Sequence, residues 1–169
     1  MTKSDESIVN RAYEVNVPLS MREELASWNG GAGIELDGWI GCTGRFSLAV
    51  GYAGVFWPQF ELVDGYILSK GTDSSVIKGF EQQAGATRWS VENTLNHLHL
   101  ADIQYRGCPD CSPDKLLVLG NTLKQIYEAK LKWEFPDRPC EVEFFVPDDS
   151  SDVNEFQISF WQRAHEVTI

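Results

Sequence analysis

The sequence predicts an α+β fold in which an antiparallel sheet carries helices mainly on one face. Two segments near the C-terminus, 140–146 and 155–162, alternate apolar and polar side chains with the period of a strand. Between them lies an acidic stretch that can connect antiparallel neighbours. The preceding segment, 113–133, instead repeats its apolar residues at helical spacing.

The alternation assigns a face to each side chain of the two strands. In 140–146 one face takes Cys140, Val142, Phe144 and Val146, and the other takes Glu141 and Glu143. In 155–162 the buried set is Phe156, Ile158 and Phe160, and the outward set is Gln157, Ser159 and Trp161. The pattern therefore predicts Trp161 on the polar face of the last strand.

The helix over 113–133 has a clear start and a clear stop. Ser112 is a favoured N-cap residue, Pro113 suits the first helical position, and Pro136 ends the helix. The predicted buried stripe consists of Leu116, Leu119, Leu123, Ile126, Tyr127 and Leu131.

The N-terminal half predicts shorter elements. A helix is expected over 18–28, and Asp37-Gly38 between apolar runs indicates a hairpin turn. Residues 45–57 are apolar on nearly every side and end at Pro58, which predicts a buried helix. Asp64-Gly65 predicts the turn of a second hairpin over 60–68.

Two further helices are expected before the long one. The first lies within 71–85, with its apolar face formed by Val76, Ile77, Phe80 and Ala84. The second begins at Ser90 as its cap and carries Val91, Leu95 and Leu98 on one stripe, so it extends to about residue 99.

The 169 residues fit a single globular domain over 1–169, in which the polar residues 1–16 are candidates for a flexible segment. The start carries no signal-peptide pattern, and the longest apolar stretch is too short for a membrane span. We therefore expect a cytoplasmic protein without a membrane partner. In that compartment the four cysteines are expected to be thiols.

A net charge of −11 argues against a nucleic-acid partner, because the phosphate backbone would be repelled. Residues 134–155 hold eight acids against one base, Arg138. This acidic stretch is either a solvated edge or a surface for a basic partner protein. Its candidate partner-binding residues are Glu141, Glu143, Asp148, Asp149, Asp152 and Trp161.

Four potential metal ligands, His97, His99, Cys108 and Cys111, lie within fifteen residues. Two imidazoles and two thiolates are an accepted ligand set for zinc, the one cofactor that the sequence indicates. On a strand the two histidines would share a face, but on a helix they would lie about 200° apart. Because the helical stripe continues to Leu98, we expect the histidines to point apart.

The Cys-x-x-Cys pair also fits a dithiol redox site. Both thiols directly precede a helix N-terminus, where the helix dipole would lower a thiol pKa.

Hydrolase and deaminase motifs do not occur, so the sequence leans toward a non-catalytic protein. The leading hypothesis is a protein-binding module that neutralises a basic partner, as an immunity protein or antitoxin does; a zinc protein and a dithiol redox protein are the alternatives.

Overall fold

The computed structural model describes residues 17–104 and 108–166, so the predicted flexibility of 1–16 lies outside the described residues. The α+β class with antiparallel sheets is confirmed. The chain forms two compact units, Met1–Thr43 and Gly44–Ile169. A single domain over 1–169 stays a prediction.

The first unit contains helix α1 (Leu19–Gly31) and helix α2 (Leu36–Thr43). Regular helix in α1 ends at Ser27, because Trp28 has an extended ψ angle of 160° and Asn29 and Gly30 adopt positive φ angles. The hairpin predicted at Asp37-Gly38 is wrong, since both residues lie in the first turn of α2. An acidic residue is favourable at that position because it faces the positive end of the helix dipole.

The second unit opens with helix α3 (Phe46–Phe56), which was predicted as a helix but wrongly as a buried one. Phe46 is 94% exposed, and no residue of α3 is fully buried. Only its last turn reaches the core, through Val55 and Phe56. When a helix is apolar on every side, its sequence does not show which face is buried. The periodicity of this segment therefore could not distinguish a buried helix from an exposed one. None of the described helices is both long and apolar enough to cross a membrane.

A β-hairpin follows, with strands β1 (Phe60–Val63) and β2 (Tyr66–Ser69) in antiparallel register. The predicted turn residues are confirmed: Asp64 and Gly65 both have positive φ angles, of 51° and 85°. Asp-Gly is favoured there because a tight two-residue turn needs that conformation twice.

Helix α4 (Ser74–Glu81) is capped by Asp73, whose carboxylate accepts the Ser75 N–H. Helix α5 (Arg88–Leu95) begins before the predicted cap, because Thr87 is its N-cap residue. Ser90 instead completes a capping box with Thr87. α5 also ends at Leu95, four residues before the predicted end.

The main sheet has three antiparallel strands: β3 (Leu98–His99), β4 (Cys140–Phe145) and β5 (Gln157–Gln162). Their order is β3-β5-β4, so β5 is central. Short 3₁₀ turns occupy Leu100–Ile103, Val153–Glu155 and Arg163–His165. The predicted pairing of the two C-terminal strands is confirmed.

Helix α6 (Pro113–Glu134) covers one face of this sheet, as predicted. Ser112 is its N-cap residue, although the hydroxyl donates to Asp114 and does not cap the helix amides. The core between α6 and the sheet contains Leu116, Leu123, Tyr127, Leu131, Val142, Phe156, Ile158 and Phe160.

Trp161 was expected on an outward polar face, and this is wrong because the residue is only 8% exposed. Helix α5 lies over part of the second face of β5, where the Trp89 and Trp161 rings meet edge to face at 5.8 Å. The Trp161 indole N–H donates to Glu166. Strand alternation alone could not show that a second helix covers this face.

Gly120 lies so close to the sheet that it has no room for a side chain, and it gives a test of this packing. A Cβ atom there would lie 2.2 Å from the Phe144 ring. We expect Gly120→Ala to lower the free energy of unfolding by about 1–3 kcal/mol through overpacking. A Cβ atom built on Gly79 in α4 would have no other atom within 4 Å. Gly79→Ala should therefore be neutral or should stabilise the fold by up to about 1 kcal/mol. Urea unfolding of both variants measures the difference, and equal effects would contradict the packing described.

Candidate functional site

An open cleft of about 300 Å³ lies between helix α5 and the outer face of strands β4 and β5. Seven residues line it: Asn93, Thr94, His97, Glu143, Phe145, Gln157 and Ser159. The cleft exists because α5 is short and covers only part of this face of the sheet. The open remainder is polar apart from one aromatic ring.

Strand register sets the floor of the cleft. Glu143 pairs with Ser159, and Phe145 pairs with Gln157 two residue pairs further along, on the same face. The Ser159 hydroxyl is bonded to the Asn93 side chain and to its carbonyl, which fixes the helical wall against the floor. Phe145 remains 45% exposed, so an aromatic surface lies next to a carboxylate.

Helix α5 is held in place by Glu92, whose side chain is fully buried. Its carboxylate accepts hydrogen bonds from the backbone N–H groups of Ile67 (2.7 Å) and Gln162 (2.8 Å). The Gln162 side-chain amide and His165 Nδ1 donate to the same carboxylate. Four donors compensate for the loss of hydration that burial of a carboxylate costs.

Asn96 extends this connection one turn further along the helix. Its amide donates to the carbonyls of Ile67 (2.8 Å) and Phe160 (3.2 Å). Glu92 and Asn96 together therefore satisfy backbone groups of β2 and β5, two strands that belong to different sheets. The cleft wall is rigid because its helix is bonded to both.

His165 belongs to this buried network. Arg88 Nε donates to His165 Nε2 (3.0 Å), so Nδ1 is the ring atom that donates to Glu92. Sequence reasoning missed this network. The sequence does contain an indication of the network. Arg88, Glu92 and Asn96 are spaced four residues apart, which places three polar side chains on one helix face beside the apolar stripe.

His97, which lines the cleft, and His99 do not point apart, so that prediction is wrong. Because α5 ends at Leu95, His97 leaves the helix and His99 lies on β3. Their ring centroids are 5.2 Å apart and the ring planes are nearly perpendicular. His97 Nδ1 contacts the Thr94 carbonyl at 2.6 Å, and His99 Nδ1 contacts the Asn154 carbonyl at 2.7 Å.

The predicted four-ligand zinc site is not assembled. Within 17–104 and 108–166, no three side chains from His, Cys, Asp and Glu converge in an arrangement that could hold a metal ion. Cys108 and Cys111 form a turn before α6, with the Cys111 N–H donating to the Cys108 carbonyl. The structure thus brings the histidines together without the cysteines.

The dithiol hypothesis predicts a lowered pKa at Cys108 or at Cys111, and the pKa of Cys111 departs in the opposite direction. Its side chain packs against the hydrophobic core, and this burial raises the pKa of the Cys111 thiol. The neighbouring Cys108 and Asp110 raise the pKa further, since each disfavours a second negative charge.

The predicted acidic residues are divided by the fold. Glu141 forms an ion pair with Arg163 at 2.6 Å, and Asp149 accepts hydrogen bonds from Ser151 that hold its own loop. Those bonds lower the pKa of the Asp149 carboxyl. Among the described residues no ion-pair partner accompanies Glu143, Asp148 or Asp152.

Comparison of this chain with models of protein families, with curated proteins and with solved structures gives no match. The site is therefore interpreted from its own geometry.

The raised pKa of Cys111 predicts slow alkylation near neutral pH. Less thiolate is present at any given pH when the pKa is raised, and only the thiolate reacts. In the folded protein the iodoacetamide rate at Cys111 should reach half its maximum at a higher pH than in the same protein unfolded in urea. Peptide mass spectrometry measures the alkylation of Cys111 separately from that of the other cysteines. A folded-state midpoint below the unfolded one would restore the dithiol hypothesis.

The buried carboxylate of Glu92 gives a prediction on stability. Glu92→Gln replaces one acceptor oxygen with an amide donor that faces N–H groups, so the free energy of unfolding should fall by about 2–4 kcal/mol. Glu128→Gln is the matched control, because Glu128 forms only an exposed ion pair with Lys124 and should cost at most about 0.5 kcal/mol. Urea unfolding at one pH measures both, and similar losses would show that the network stabilises little.

Proposed function

We propose that this chain is a non-catalytic protein-binding module that captures a basic protein, in the manner of an immunity protein or antitoxin. The observation that carries the proposal is Glu143 in the cleft. Its carboxylate has no ion-pair partner among the described residues and lies on the same strand face as the half-exposed Phe145 ring. An arginine or lysine side chain can satisfy both, because its charge pairs with the carboxylate and its apolar stem packs on the ring.

The acidic loop supports the same proposal. Phe145 and Gln157 form the last rung between β4 and β5, so residues 146–156 leave the sheet at the end of the cleft. Asp148 and Asp152 lie in this loop and are exposed. Their field, added to the net charge of −11, would accelerate the approach of a positively charged partner.

The structure changes the proposed partner-binding set in three respects. Asp149 is left out, because its carboxylate accepts hydrogen bonds from Ser151 within its own loop. Trp161 is buried and cannot be a contact residue, so Phe145 takes the place of the aromatic anchor. Glu141 is already paired with Arg163 and contributes less than Glu143. The proposed set is Glu143, Phe145, Asp148 and Asp152.

A tetra-arginine peptide, with tetra-citrulline as the uncharged control of similar shape, tests the proposal. We expect the arginine peptide alone to bind, with amide shifts in a ¹H–¹⁵N spectrum that map to the cleft residues. Glu143→Gln should weaken binding about three- to tenfold, since it removes the charge at the contact.

Glu23→Gln is the matched control, because it removes one exposed carboxylate from the other unit and should leave affinity within twofold. If both substitutions weaken binding equally, the peptide responds only to net charge. Shifts that map away from the cleft would also overturn the proposal.

A further inference from the structure

His97, which lines the cleft, and the neighbouring His99 have the features of an open metal site. We propose that His97 and His99 together bind one divalent transition-metal ion such as Zn²⁺, through their Nε2 atoms and without the cysteines. This proposal does not rest on the basic partner proposed above. Three features support this site: the proton positions, the separation of the rings and the fixed backbone around them.

The proton positions follow from the two short contacts at Nδ1. A backbone carbonyl can only accept, so Nδ1 of each ring must be the donor to Thr94 or Asn154. In a neutral imidazole this leaves the lone pair on Nε2, which is the atom that then coordinates a metal. Donation of the other ring N–H to a carbonyl is the usual second contact of a histidine ligand, because it fixes the tautomer and the ring orientation.

The separation of the rings fits a shared ion. With zinc–nitrogen bonds of 2.0–2.1 Å, each ring centre lies roughly 3.2 Å from the metal, and a tetrahedral angle then puts the two centres about 5.2 Å apart. The observed centroid separation is 5.2 Å. The nearly perpendicular ring planes do not conflict with this, since each ring can take any rotation about its own metal–nitrogen bond.

The backbone around both histidines is fixed by buried contacts. Asn96, which directly precedes His97, is bonded to β2 and β5, and His99 pairs with Gln157 in the sheet. The rings therefore need little reorganisation to bind an ion. Because no third protein ligand converges there among the described residues, the remaining coordination positions stay open to water or to a donor from a ligand.

The test is a titration of the full chain, after removal of any histidine tag, with ZnCl₂ followed by calorimetry. We expect saturable binding of one ion per chain. His97→Gln and His99→Gln should each weaken binding at least tenfold, while circular dichroism shows that the fold is kept. The double variant Cys108→Ser/Cys111→Ser should bind within twofold of the unchanged chain.

Ring signals give a second readout that does not depend on affinity. In a long-range ¹H–¹⁵N spectrum, zinc should shift Nε2 of His97 and His99 and leave His165 unchanged, since His165 lies in the buried network around Glu92. Three results would overturn the proposal: no saturable binding by the unchanged chain, equal binding by the histidine variants, or loss of binding in the cysteine variant. The last would restore a site that includes the thiols.

Discussion

One buried carboxylate connects the parts of the second unit. Glu92 reaches from helix α5 to the backbone of β2 on one side and of β5 on the other, where ordinary strand pairing is missing. The two sheets are therefore joined by side-chain hydrogen bonds and ring packing and not by a continuous ladder. The Glu92 charge also affects a group that it does not contact. Burial raises the pKa of the Cys140 thiol to about 12, and the negative charge of Glu92 contributes to this rise. Loss of the carboxylate would leave donors of the hairpin, the sheet and His165 without an acceptor.

The position of β5 explains why a cleft exists at all. As the central strand of a three-stranded sheet it is covered by α6 on one face and partly by α5 on the other. α5 has only eight residues, whereas α6 has 22, so the second face is only partly covered. At the uncovered end, polar side chains and the half-exposed Phe145 ring are accessible to a ligand. The same geometry brings His97 over the cleft, since the chain must turn from α5 into β3.

Elements with a regular period and clear boundary residues were predictable from the sequence. The long helix with Pro113 at its start, the Asp64-Gly65 hairpin and the two C-terminal strands all follow from local rules. The end of α5 was not predictable, because Leu98 continues the helical stripe although it lies on a strand. The position of this helix end determines whether the side chains of His97 and His99 point apart or lie next to each other. The Glu92 network was also missed, since its partners are 25 to 73 residues away in the chain.

Helix α3 has a consequence for the motion of the chain. Its last turn is held by the Tyr127 hydroxyl, which donates to the Val55 carbonyl, and by the packing of Phe56. Its first turns bury no side chain, and Arg45 provides no side-chain cap. A short helix without burial is marginal in water, so these turns open far more often than the last one. Backbone amides near Val50 should accordingly exchange with solvent quickly, and those near Phe56 slowly, within one continuous helix.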